Sequence, residues 1–485
     1  MKIDDIEWNW SEANEFLGEY LPADTLDRKK YAKFLYEICA ARGENSNLVV
    51  NINAEWGAGK TYFTKRLAQS ISNAHPTVYI DAWKEDFSDD PLLTVFSSIK
   101  EQLTGQSDKF TTLLNKTIEN IGPLLKTATP LLLEGIIKKI SGIENISSLT
   151  KDLSTKLLEL HTEKATKITT IKKGISTWVR YIKQKDGTDK SLPLFIVIDE
   201  LDRCRPDFAI SLLEITKHIF NIPGVVFIIA TDTEQLQHSI KVVYGSNFSA
   251  SHYLSRFFDR RFLLPTPSMR EFLKTITADS IIDDFDNLRK KISPSPPDIT
   301  SFIDNCASIF ESMKVNLRDS IKLYERLLDL ILTSPKNFDS NFLLILSIIN
   351  SQYNDKYSFI KADKFDKQQI IDFDSNISLT FDLSRLATGV HVLMHNGMRH
   401  QNSFKNKTIT IHLYQYIEKA RINIEIALPV TDAGGYMEDW SDGGLERNDS
   451  LDTMLKIGWA KNKTYDKSLL LPQYFELIEL STTFE

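Results

Sequence analysis

The chain has 485 residues, 42% of them hydrophobic and 25% charged, with a net charge of −7. That length allows two or three compact units, and the composition is that of an ordinary globular protein. The acidic total excludes the molecule as a whole as a polyanion binder, so any nucleic-acid contact would need a local basic patch.

The opening MKIDDIEWNW is acidic and lacks the apolar core of a signal peptide. Residues 21–41 place Leu26, Tyr31, Phe34, Leu35 and Ile38 at helical spacing, and residues 1–45 read as an N-terminal helical segment. Asn47–Asn53 is a short strand, followed by a Gly-containing turn and a helical pattern from Lys60 to Ile71. Thr77–Ile80 is a second strand. From about 91 to 190 the pattern is helical and polar. Within it, residues 151–190 carry ten Lys/Arg against five Asp/Glu. A solvated helical face explains such a run, and a basic docking surface is the rival reading.

Pro193–Asp199 is a continuous apolar run ending in carboxylates, as suits a strand buried on both faces of a parallel sheet. Residues 206–221 form a helix with Pro206 in its first turn, and Gly224–Thr231 is another buried strand. Strand, helix, strand in this order predicts a doubly wound α/β sheet. Residues 269–350 are helical around a loop at 292–298, and beyond 351 the signals are mixed. Cys39, Cys204 and Cys306 are odd in number and far apart; they form neither a disulfide framework nor a zinc spacing, which fits a reducing cytosol. Two apolar stretches fail as membrane spans. Residues 121–137 contain Pro123, Lys126, Pro130 and Glu134, and Phe342–Ile349 is far shorter than the ~20 residues a bilayer needs. The expectation is a cytoplasmic chain with no transmembrane segment.

Two motifs carry chemistry. Ala54-Glu55-Trp56-Gly57-Ala58-Gly59-Lys60-Thr61 follows a predicted strand and opens a predicted helix, the setting of a P-loop. Small residues let successive backbone N–H groups curl around phosphates at the positive end of a helix. Glu55 to Gly59 and Tyr62 would contribute that cradle. Lys60 would reach the β- and γ-phosphates, and the Thr61 hydroxyl would ligate Mg²⁺. Ala54 stands where the usual motif has its first glycine; if that position needs a positive φ, alanine costs on the order of 1 kcal/mol.

The second motif is Ile196-Val197-Ile198-Asp199-Glu200-Leu201-Asp202. Ligands sit at the carboxyl ends of strands in such sheets. Asp199 would hold Mg²⁺ through water, and Glu200 would act as general base on the attacking water. Asp199 follows Lys60 at a distance that adjacent α/β units do not need, so 91–190 reads as an insertion. Thr231 and Asp232 end the next strand, where polar groups either sense the γ-phosphate or cap the strand end.

These segments resemble the KAP family of P-loop NTPases, within the additional-strand catalytic-glutamate class. The matching elements are AEWGAGKT, TVYIDAW at 77–83, IVIDELDRCRP at 196–206, VVFIIATDTEQL at 225–236, YLSRFFDRRFLLP at 253–265 and NLRDSIKLYERL at 316–327. The resemblance covers about residues 20–335. It implies an α/β ATPase core at 46–268 with the helical insertion, a helical lid at 269–350, and a C-terminal partner-binding region at 351–485. It implies ATP rather than GTP, and a lid arginine, Arg318, able to touch the γ-phosphate. Arg256, Arg260 and Arg261 lie where a subunit-edge arginine finger would be, with surface ion pairing as the alternative. Asp202, Arg203 and Cys204 are expected to be architectural.

Many family members carry transmembrane helices between the two motifs. Here that segment is polar, which points to the soluble bacterial branch, with a nearby-encoded protein partner or a homo-oligomer and a role in defence against phage. The expected function is an ATP-driven conformational switch. The rivals are a nucleotide-holding scaffold with negligible hydrolysis and a peripheral membrane organiser. His391, His395 and His400 form a helix-spaced cluster without a completing ligand and are expected to be structural or at the surface. Residues 431–452 are acidic and Gly-rich and are expected to form a mobile loop.

Overall fold

A computed structural model describes residues 6–88, 90–104, 108–119, 151–183, 190–279, 285–292, 296, 298–362, 377–382, 408–425 and 468–482. The histidine cluster at 391–400 and the Gly-rich segment 431–452 lie outside the described residues. The chain divides into two compact units, 1–266 and 267–485.

The first unit is built on a five-stranded sheet. Its strands are β3 (Leu48–Asn53), β4 (Thr77–Asp81), β5 (Leu194–Asp199), β6 (Val225–Thr231) and β7 (Arg260–Leu263), in the order β4-β5-β6-β3-β7. Every pairing is parallel. Strand β6 thus lies between the strand that feeds the P-loop and the strand that ends in Asp199-Glu200, the extra strand expected of the catalytic-glutamate class. The register sets Asn53 beside Thr231 and Asp81 beside Asp199, so the chemistry-bearing ends share one edge.

The uninterrupted apolar runs follow from burial on both faces. Val49, Ile196, Ile198, Phe227 and Ile229 join one core, and Val50, Ile52, Phe195, Val197, Val226 and Ile228 join the other. That alternation is the two-residue period of a strand. On the second face pack α1 (Lys29–Gly43) and α2 (Lys60–Ser72), through Leu35, Cys39, Phe63, Leu67 and Ile71.

On the first face pack α4 (Pro91–Leu103), α5 (Asp108–Glu119) and the end of α6 (Lys151–Lys183), after the single turn α3 (Ala82–Glu85). Asp90 caps α4 by accepting from the N–H groups of Leu92 (2.9 Å) and Leu93 (3.2 Å), with Pro91 in the first turn. Trp178 is buried on α6 and donates to Leu113 O (3.2 Å) and Thr117 Oγ1 (3.1 Å). Lys173 and Arg180, from the basic stretch, are exposed on the opposite side of the same helix. The described ends of the insertion therefore complete one helical layer of the sheet.

The N-terminal region differs from the helical expectation. Helix α1 begins at Lys29 rather than near residue 21, and a hairpin of β1 (Asn14–Phe16) and β2 (Glu19–Leu21) precedes it. Arg66 holds this segment from below, donating to the carbonyls of Glu12 (2.6 Å), Leu21 (3.1 Å) and Pro22 (2.6 Å).

The second unit is mainly helical. The region 269–350 and the described parts beyond 351 share one core, in which Leu273, Phe302, Tyr324, Leu344, Tyr416 and Tyr474 all take part. Among the described residues no helix is long and apolar enough to cross a membrane.

Within this core Asp339 is fully buried at the start of the helix Ser340–Gln352, where it accepts from Phe342 N–H at 2.9 Å. The buried hydroxyls of Tyr416 and Tyr474 face it: Tyr416 donates to its carboxylate, and Tyr474 accepts from its N–H. Burial pushes the Asp339 carboxyl from 3.8 up to about 7, against those hydrogen bonds. The folded state therefore binds this proton more tightly than the unfolded chain. The stability it contributes is complete below the unfolded pKa and is lost as pH rises toward 7, at ~1.4 kcal/mol per unit of difference. Asp339→Asn keeps a capping acceptor but cannot ionise. Its melting temperature should gain on the wild type steadily between about pH 4 and about pH 7 and level off above that. A difference that does not vary with pH would show that Asp339 does not titrate in this site.

Candidate nucleotide site

The loop between β3 and α2 turns on two glycines in the left-handed region, Gly57 (φ 83°) and Gly59 (φ 77°). There an L side chain is strained, so the sequence uses residues without a Cβ. Ala54 is not at a positive φ. It continues the strand, its N–H donating to Thr231 O at 3.3 Å, so the departure from glycine costs no backbone strain. Lys60 is buried at the first position of α2. Its ammonium folds back on the loop and donates to the carbonyls of Ala54 (2.8 Å) and Glu55 (3.2 Å). Glu55 and Trp56 are exposed, and the Trp56 indole N–H is tied to Asp202 Oδ2 at 2.5 Å. That bond clamps the P-loop to the turn after β5.

Asp199 ends β5 with no exposure to solvent. Its Oδ2 accepts from Tyr79 OH (2.9 Å) and Thr64 Oγ1 (3.3 Å), and its Oδ1 from the Glu200 N–H (2.9 Å). Burial pushes its carboxyl up, and the donors, including the Thr61 hydroxyl, pull it back toward the ionised form. Glu200 takes a left-handed backbone, φ 59°, which a non-glycine residue adopts only when its surroundings hold it there. Its Oε1 accepts from Thr61 Oγ1 at 2.8 Å, and its Oε2 pairs with Arg203 at 2.5 Å. Burial first, and then the charge of Asp199, raises its pKa, while Thr61 and Arg203 act against that. A carboxylate of raised pKa is a stronger base.

Thr61 and Asp199 suit a divalent cation in their chemistry. They offer a hydroxyl and a carboxylate, the hard oxygens that Mg²⁺ takes one or two at a time beside water and phosphate. A cation would also offset the desolvation that raises the Asp199 carboxyl. Thr61 can serve while donating to Glu200, because its oxygen lone pairs remain.

At the end of β6 a polar cluster joins the strands. The Asn51 amide donates to Ile229 O (3.1 Å) and Thr231 Oγ1 (2.8 Å), and Thr233 donates through N–H (2.8 Å) and hydroxyl (2.6 Å) to Asn53 Oδ1. Asp232 caps the helix Thr233–Tyr244, accepting from Glu234 N–H (3.0 Å) and Gln235 N–H (3.3 Å).

The remaining sequence candidates are placed as follows. Arg256 is exposed after the helix Ala250–Leu254, and Arg260 and Arg261 are exposed on the edge strand β7. None of the three makes an ion pair among the described residues; Arg260 donates to Asp259 O at 3.3 Å. Arg318 belongs to the second unit, exposed in the first turn of the helix Leu317–Thr333. Arg203 pairs with Glu200 and lies over the Trp83 ring at 5.4 Å, so it touches the expected base directly. Cys204 is buried, and its thiol sits against Glu200 O at 3.6 Å.

Tyr79, Thr64, Asn51 and Arg28 were not singled out from sequence. Thr64 lies one helical turn after Lys60, a spacing that could have marked it. The others meet the site only through the tertiary fold.

Among solved structures, overall similarity is low. The Aeropyrum pernix ORC2 protein in its ADPNP-ADP complexes is 12% identical, covering 68% of this chain and 76% of that chain, with a TM-score of 0.30. Its ADP form is 11% identical, covering 94% and 84%, with a TM-score of 0.27. A Walker-type ATPase of Pyrococcus abyssi is 12% identical, covering 68% and 80%, with a TM-score of 0.25. No curated protein matches the chain significantly. The family model described as the KAP family P-loop domain matches residues 28–375, which includes β3, the loop, Asp199 and Glu200. On that match the chain belongs to the KAP family of P-loop NTPases, and its P-loop is a nucleotide-binding site.

Proposed function

We propose that this site binds ATP with Mg²⁺ and hydrolyses it, and that the cycle acts as a conformational switch. The observation that carries this reading is the meeting of Thr61, Asp199 and Glu200 beside the left-handed turn of the P-loop. Binding moves Lys60 from the carbonyls of Ala54 and Glu55 to the β- and γ-phosphates, where it neutralises charge. Loop N–H groups at the start of α2 hold the phosphate oxygens. Mg²⁺, held by Thr61 and through water by Asp199, supplies further neutralisation of the phosphates when bound. Glu200, kept basic by burial and by Asp199, takes the proton from the attacking water. Asp232 and the Asn53–Thr233 pair, at the end of β6, are proposed to sense the γ-phosphate.

A scaffold reading has one specific support, because Arg203 and Thr61 both engage the Glu200 carboxylate. Two substitutions separate the readings. Lys60→Ala should weaken nucleotide binding severely. Glu200→Gln should bind ATP as the wild type does but lose turnover by ~10²-fold or more, in the range of general-base contributions. Equal phosphate release by wild type and Glu200→Gln would remove the base assignment and leave the scaffold.

Arg256, Arg260 and Arg261, which make no ion pair among the described residues, lie on the sheet edge and beside it and are suited to reach a neighbouring subunit's γ-phosphate. A finger supplied in trans makes specific activity rise with protein concentration, and its loss costs ~10³-fold or more. Activity per molecule that is flat with concentration, and unchanged by each of the three alanine substitutions, would rule this out.

The biological setting proposed is a cytoplasmic bacterial defence against phage, with a protein partner, and it is carried by the family resemblance. Phage plated on cells expressing the wild type should form fewer plaques than on cells expressing Lys60→Ala. Equal plaque counts would remove the defence role and leave the ATPase reading untouched.

A further inference from the structure

Arg28 precedes α1 and is only 4% exposed. Its Nη1 donates to Gly59 O at 3.1 Å, the residue that opens the P-loop helix. A Cβ built on Gly59 would stand 2.8 Å from the same Nη1, so guanidinium and loop are in direct contact. Among the described residues this is the one hydrogen bond of the guanidinium, and no carboxylate pairs with it. A guanidinium has five N–H donors, so most of its capacity is unused. Asp24 is the nearby acid and its charge favours the guanidinium, but its carboxylate accepts from the N–H groups of Leu26 (3.2 Å) and Lys29 (2.8 Å) and makes no ion pair with Arg28.

A buried cation that no carboxylate contacts is only partly compensated, and burial outweighs the attraction of Asp24 in lowering the Arg28 pKa. Here it also sits against the positive end of a helix, which makes the partly compensated charge less favourable still. Both features become favourable together when an anion enters.

We infer that Arg28 is a second phosphate-binding cation of the nucleotide site, directed at the α/β-phosphate end shared by ATP and ADP. The end is assigned by its neighbours. Arg28 lies beside Gly59 and its charge acts on Tyr62, the residue after Thr61 in the cradle. Lys60 instead points to the start of the loop, at the carbonyls of Ala54 and Glu55. The Tyr62 hydroxyl donates to Pro22 O at 3.1 Å, so the segment leading into Arg28 is fastened across the first turn of α2. Arg28 would then hold substrate and product alike, whereas Lys60 also reaches the γ-phosphate that ATP alone carries.

This rests on the nucleotide-binding reading, and the test separates the two. Fluorescent ATP and ADP analogues are titrated with Mg²⁺ into the full chain, as wild type, Arg28→Gln, Arg28→Lys and Lys60→Ala. Gln retains a donor for Gly59 O but no charge. Arg28→Gln should weaken ATP and ADP by similar factors, roughly 10- to 100-fold, the scale of one charge-assisted hydrogen bond. Arg28→Lys should recover part of that loss, and the remaining affinity of Arg28→Gln should depend less on salt. The unliganded melting temperature of Arg28→Gln should stay close to the wild type. Loss confined to ATP would overturn the assignment to the shared end. Unchanged affinity for both nucleotides, or a lower melting temperature with unchanged affinity of the folded protein, would overturn it by leaving Arg28 a loop brace. If the wild type bound neither nucleotide, the nucleotide reading itself would fall, and this inference with it.

Discussion

The Asp199 carboxyl group is buried at the end of β5, and the architecture around it serves to keep it there. An ionised group in such a place is tolerated only when donors surround it. The donors come from three separate parts of the chain: Tyr79 from the neighbouring strand, Thr64 from the P-loop helix, and the Glu200 N–H from its own turn. Each requires a different packing contact, so β4, α2 and the turn after β5 must all be in place before the carboxylate is satisfied. The parallel register does this, setting Asp81 beside Asp199 and Asn53 beside Thr231. Fold and site are in this sense one requirement.

Strain is distributed unevenly in the site. The loop places its left-handed residues on glycine, at Gly57 and Gly59, where the cost is small. Glu200 adopts a left-handed backbone with a full side chain. That turn aims the carboxylate back toward Thr61 and leaves Asp199 free to accept from the Glu200 N–H. A glycine would relax the backbone and remove the carboxylate that Thr61 and Arg203 engage, so geometry and chemistry compete at this residue. The surroundings that hold it include Arg203 on the side chain and the buried thiol of Cys204 on the carbonyl.

Much of the first unit was legible from sequence, for physical reasons. β5 and β6 are covered on both faces, which leaves an unbroken apolar run with few alternatives. Glycine spacing before Lys60-Thr61 marks the loop because only a phosphate cradle asks for that pattern. The hairpin at 14–21 was not legible, since strands of three residues carry no period. Strand β7 opens with two exposed arginines and pairs along one side only, so it lacks the unbroken apolar run of β5 and β6. Tyr79 reaches Asp199 across 120 residues and Arg28 reaches Gly59 across 31; such partners are set by topology. Ala54 shows the opposite case, a departure in the motif that looked costly and is harmless because its φ is not positive.

The insertion also enters the sheet at a telling point. It joins β4 to β5, the pair farthest from β7, and its described ends pack on the face opposite α2. Two parallel strands need a crossover in any case, and the entropic cost of lengthening one grows only with the logarithm of its length. Extending a ~20-residue crossover to the span between Asp81 and Leu194 costs only ~1.5 kcal/mol more. The edge strand behaves as a socket, in which the crossover can be exchanged for one of another length or character while the register that assembles the phosphate site stays the same. What is joined to the sheet through this crossover can thus vary without rebuilding the nucleotide site.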